Sequence, residues 1–102
     1  HFLNAMVQHV TVGIVCYDAE GKIEVLNKQA LELLGTYRIR NIKELEKAGQ
    51  EQLLNLISTL ESGDKVLYTT SNGKEIAISS NLINLRGKQV KILAFQTVSA
   101  YF

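Results

Sequence analysis

Three side chains in this sequence are of types whose ordinary pKa lies nearest neutrality, and they are the first candidates for proton, metal or thiol chemistry. They are one cysteine, Cys16, and two histidines, His1 and His9. A reactive thiol needs an exposed, electropositive setting, whereas Cys16 sits in a short β-branched run at residues 12–17. A cysteine placed there packs as a small hydrophobe. His1 and His9 have no carboxylate or cysteine cluster around them at metal-ligating spacing. They read as solvated or capping groups, and no metal site is expected.

Two polar clusters remain. Arg38, Arg40 and Lys43 carry enough charge to grip an anion, but Glu44 and Glu46 follow closely, and the cluster reads as a balanced, exposed loop. Ser79, Ser80 and Asn81 stand out more. Strand alternation sends Ser80 to one face and Ser79 and Asn81 to the other. If Ser80 points inward its hydroxyl needs a partner, because an unsatisfied buried hydroxyl costs ~1–3 kcal/mol. A ligand, a water or a helix carbonyl can each supply one. No Ser-His-Asp set, phosphate-cradling glycine loop or nucleotide motif can be assembled, so the segment is expected to be non-catalytic.

The elements that hold these residues follow from composition and pattern. The 102 residues suit one small domain, and 46% hydrophobic with 21% charged residues suit a packed core. Eleven basic and ten acidic residues leave a formal charge of +1, without the basic footprint of a nucleic-acid or membrane-surface binder. The single cysteine excludes an internal disulfide, and no apolar run approaches the ~20 residues of a membrane span. The chain starts on His1 rather than Met and ends on Tyr101-Phe102. It is expected to be part of a longer protein, with any membrane anchor outside it.

Phe2, Leu3, Met6, Val7 and Val10 recur at helical spacing, which predicts an N-terminal helix over residues 1–10. A strand at 12–17, an Asp18-Ala19-Glu20-Gly21 turn and a strand at 23–26 follow. Asn27 is a good N-cap for a helix over 28–34, and Gly35 a left-handed stop. Asn41 with Glu44 resembles a capping box for a short helix over 42–47, and a further helix spans 50–60. Strands at 65–70, 75–85 and 90–98 are joined by Ser71-Asn72-Gly73 and Arg86-Gly87-Lys88 turns. Hairpin-linked strands are neighbours, so the expectation is an α+β fold: one antiparallel sheet of order 2-1-5-4-3 with helices on one face.

The run GIVCYDAEGKIEVLNKQALELLG, residues 13–35, resembles the opening of a PAS domain. It has a strand, an Asp-x-x-Gly turn, a strand ending in Asn, and a helix of the Ala-x-x-Leu-Leu-Gly kind. The resemblance extends through SNGKE and the last strand, with residues 11–98 as the core and 99–102 as the start of an exit linker. More narrowly, MVQHVTVGIVCYDAEGKIEVLNKQALELLG and YRIRNIKEL resemble the PAS domain ahead of the kinase core in bacterial nitrogen-regulation (NtrY-like) sensor histidine kinases. Carried over by position, Asp18 and Gly21 form the turn pair and Asn27 closes the second strand, all with structural roles. The flavin-binding Asn-Cys-Arg-Phe-Leu-Gln motif is missing. The helical segment that would carry a haem-ligating histidine has none, so no haem or flavin is expected. His9 also lacks the acidic neighbours expected of a phosphoacceptor histidine.

The resemblance implies a cytoplasmic regulatory domain of a two-component sensor histidine kinase. Such a domain forms homodimers, relays a signal to a kinase core in the same chain, and reaches a response regulator through the parent protein. Phe2, Leu3, Met6 and Val7 are the candidate dimer contacts. The alternative expectation is a small-molecule sensor with an unknown ligand between sheet and helices, lined by Ile14, Leu34, Leu53, Ile57, Ile78 and Ser80. Neither expectation includes nucleic acid or direct membrane contact.

Overall fold

Turn chemistry and alternation translate directly into strands. The computed structural model describes residues 12–35 and 38–98. Its elements run β1 (Gly13–Asp18), β2 (Ile23–Leu26), α1 (Lys28–Leu34), a one-turn 3-10 helix (Ile42–Leu45), α2 (Glu51–Thr59), β3 (Lys65–Thr69), β4 (Glu75–Leu85) and β5 (Lys88–Thr97). The sheet order is β2-β1-β5-β4-β3, and every pairing is antiparallel. That is the expected topology. The N-terminal helix over residues 1–10, its Phe2, Leu3, Met6 and Val7 stripe, and the exit at 99–102 lie outside the described residues.

The β4–β5 connection is tighter than the sequence pattern suggests. Leu85 pairs with Lys88, so Arg86 and Gly87 alone make the turn, both at positive φ (53° and 81°). Two such residues match the right-handed twist of the flanking strands. β5 therefore begins two residues earlier than its apolar run.

The predicted helix over 42–47 is instead a single 3-10 turn. Its capping box forms: the Asn41 side chain accepts from the Lys43 amide at 2.9 Å, and Glu44 accepts from the Asn41 amide at 3.0 Å. Only Ile42 and Leu45 are buried in it, and residues three apart line up along a 3-10 helix. Gly49, at φ 80°, then redirects the chain into α2.

Alternation divides the sheet. Val15 and Tyr17 on β1, Ile76 and Ile78 on β4, and Leu93 and Phe95 on β5 face the helices. They form one core with Ala30 and Leu34 of α1, Ile42 and Leu45, and Leu53 and Ile57 of α2. The other face carries Ile14, Cys16 and Asp18, opposite Ala94, Ile92 and Val90.

Candidate functional site

The β1–β2 turn is built around one carboxylate. Asp18 Oδ1 accepts from the amides of Glu20 at 3.0 Å and Lys22 at 2.9 Å. Its Oδ2 lies 3.4 Å from Lys88 Nζ, which also reaches Glu24 at 3.3 Å. The Lys22 amide first, then Lys88 and the Glu20 amide, hold the Asp18 carboxyl below its ordinary range, against the opposing effect of burial. Lys88 is pushed up by Glu24 and then Asp18.

Gly21 seats this turn against the following loop. At φ 84°, it holds a conformation that favours glycine, and a Cβ there would meet Asn41 Oδ1 at 2.6 Å. Asn41 Nδ2 donates to the Glu20 carbonyl at 3.0 Å, and the Ile42 amide to the Gly21 carbonyl at 2.8 Å. Asn27 is fully buried and joins β1 to α1. Its Oδ1 accepts from the Ile14 and Ala30 amides, and its Nδ2 donates to the Val12 carbonyl.

A cleft of about 410 Å³ opens beside this turn. Tyr17, Asp18 and Gly21 form one wall, Ile42 and Lys43 of the 3-10 turn another. Leu54, Asn55 and Ser58 of α2 and Leu82, Gln89 and Lys91 of the β4–β5 hairpin close it. Tyr17 and Lys91 stand opposite each other in the β1–β5 register. Burial pushes the Tyr17 phenol up to about 12. Lys91 Nζ donates to the Ile57 carbonyl at 3.0 Å, near the end of α2, and burial lowers its pKa although Asp64 acts the other way.

The six residues expected to line a ligand space do not line this cleft. Leu34, Leu53, Ile57 and Ile78 interlock within the core. Ser80 is completely buried on β4, and its hydroxyl makes no hydrogen bond among the described residues. Ile14 lies on the opposite face of the sheet, because Val15 is the β1 residue that turns inward. Arg38, Arg40 and Lys43 are not brought together. The two arginines border a separate hollow beside β2, and Lys43 borders the cleft. Sequence reasoning missed Tyr17, Asn55, Ser58 and Lys91, which come together only when β1, α2 and β5 assemble.

Cys16 is buried on the outer sheet face, and burial, then the Glu24 charge, pushes its thiol up. Such a thiol is a poor nucleophile. Among the described residues no group of three His, Cys, Asp or Glu side chains is arranged to hold a metal, and no helix is long and apolar enough to cross a membrane.

The sheet order, the Asp18–Gly21 turn and the Asn27 cap define a sensory-module fold of the PAS type. The PAS domain family model matches residues 1–71, and the chain belongs to that family. Among solved structures, it is similar to the PAS domain of nitrogen regulation protein NR(II) from Vibrio parahaemolyticus, at 12% identity and a TM-score of 0.64, covering 96% of this chain and 99% of that one. The PAS domain of Bordetella pertussis BvgS is similar at 13% identity and a TM-score of 0.63, covering 95% and 84%. A PAS domain from a two-component sensor histidine kinase follows at 10% identity and a TM-score of 0.60, covering 94% and 93%. At these identities the likeness is one of fold. Comparison with curated proteins gave no match.

Proposed function

We propose that this domain is the regulatory PAS module of a cytoplasmic sensor histidine kinase of the NtrY-like type, acting as a homodimer that relays a signal into a kinase core of the same chain. One observation carries the reading. The sheet face turned away from the described helices carries Val25, Leu67 and Ile83, which are 40%, 67% and 39% exposed. Exposed apolar side chains on one sheet face support association through that face. In this reading the Phe2, Leu3, Met6 and Val7 stripe packs on a partner or on the sheet. A shift there moves β5, which leads toward the C-terminal exit, and biases the kinase between two states. A response regulator is reached through the parent protein.

Sedimentation of the full chain and of the Met6→Glu/Val7→Glu double variant tests this. A wild-type dimer that dissociates in the variant is the expected result. An unchanged dimer would remove the stripe from the interface, and a wild-type monomer would move association out of this segment.

A second reading keeps a small molecule between sheet and helices, with Leu34, Leu53, Ile57, Ile78 and Ser80 as candidate lining and Ile14, on the opposite sheet face, dropped from the set. The unpartnered Ser80 hydroxyl favours it. Close packing of the four Leu and Ile side chains within the core favours a filled interior.

A further inference from the structure

Two ammonium groups border the cleft beside the β1–β2 turn, Lys91 from β5 and Lys43 from the 3-10 turn. Among the described residues, neither has a carboxylate within ion-pair distance; both ion pairs there belong to Lys88. Lys91 has three N–H donors, of which the Ile57 carbonyl takes one. The Tyr17 hydroxyl, on the same inner face, makes no hydrogen bond among the described residues. Among the described residues Asp18 is the only carboxylate on the cleft wall, and its oxygens are already engaged by Lys88 and two backbone amides.

Ile42, Leu54 and Leu82 give the wall an apolar stretch where a ligand body would lie, with Asn55, Ser58 and Gln89 beside it. A volume of about 410 Å³ falls in the range of small-molecule sites, which are mostly apolar with a few convergent polar groups. We propose that this cleft binds a small organic carboxylate, its charged end held by Lys91, Lys43 and the Tyr17 hydroxyl and its apolar body against Ile42, Leu54 and Leu82. Partial burial of Lys91 fits this, since a desolvated ammonium gains most from an anion. Occupancy would tie the β1–β2 turn to α2 and to β5. The site is separate from the core space of the second reading and does not depend on the relay.

The test is a set of amide chemical-shift titrations of the full chain with hexanoate, 1-hexanol and inorganic phosphate. The expected result is saturable shifts with hexanoate, centred on Tyr17, Lys43, Asn55 and Lys91, with 1-hexanol and phosphate much weaker. Lys91→Met should weaken hexanoate about tenfold, the size of one charge-assisted contact. Because Lys91 also caps α2, Tyr17→Phe and Lys43→Gln are run beside it, and each should weaken binding several-fold in a spectrum otherwise unchanged. Equal binding of 1-hexanol would reduce the cleft to a greasy hollow and overturn the proposal. So would equal binding of phosphate, the absence of saturable shifts, or unaltered affinity in Tyr17→Phe and Lys43→Gln. The sedimentation result for the relay reading is independent of all these outcomes.

Discussion

Asn27 Oδ1 accepts a hydrogen bond from the Ile14 amide at 2.8 Å, which ties the residue capping α1 to the start of the neighbouring strand. The same oxygen accepts from the Ala30 amide at 3.0 Å, and Nδ2 donates to the Val12 carbonyl at 2.8 Å. Asn27→Ala removes the cap and leaves buried strand groups without partners. Loss of a cap costs about 1 kcal/mol and each stranded group ~1–3 kcal/mol. Urea unfolding should show a loss of ~2–4 kcal/mol, and a change within 0–1 kcal/mol would mean that water replaces the side chain.

Gly13 makes a second close approach between the same elements. A Cβ there would meet the Ala30 Cα at 2.8 Å and its amide nitrogen at 2.9 Å. Backbone cannot rotate away as a flexible side chain can, so Gly13→Ala must push α1 off β1. The expected cost is ~1–3 kcal/mol, the usual range for overpacking. Gly73→Ala is the control: its new Cβ meets nothing within 4 Å, and only the strain of φ 85° remains. Thermal melting should rank Gly13→Ala as the more damaging change.

These two residues show which parts of the fold were readable. Asn27 before a helical pattern announces a cap, and Asn72-Gly73 announces a hairpin, because both signals are local. Strand order followed from chain connectivity and the need to cover one sheet face. The Ile14 and Val12 contacts of Asn27 were not readable, since they depend on where β1 lies. The Asp18–Lys88 pair joins residues far apart in sequence, and the cleft draws its wall from four separate segments. No window of sequence holds such a site. The 3-10 turn was misread as a longer helix because a capping box marks where a helix starts, and says nothing about its length.

Ile57 and Ser80 together test whether the interior is filled. Ile57 is fully buried in the core, so Ile57→Ala should cost ~2–5 kcal/mol if its neighbours surround it. A much smaller loss would reveal space for a ligand. Ser80→Ala removes a hydroxyl with no partner among the described residues. It should be neutral or slightly stabilising, because the desolvation penalty disappears with the group. A clear destabilisation would mean that a water or bound molecule satisfies Ser80, which supports the second reading.

Acid stability should report on Asp18. The Lys22 amide, Lys88 and the Glu20 amide keep its pKa below the ordinary 3.8. The unfolded chain therefore takes up this proton at a higher pH than the folded protein does. A depressed carboxylate pKa contributes fully above the unfolded value, and that contribution is lost as pH falls through 3.8 toward the folded value. Asp18→Asn keeps an oxygen acceptor for the turn amides but cannot titrate or pair with Lys88. At neutral pH it should be the less stable protein, and the gap should narrow as pH falls from about 5 through 3.8 and below. Urea midpoints measured across that window decide the matter. A gap that stays constant with pH would show that the Asp18 charge adds nothing, and that the turn is held by oxygen acceptance alone.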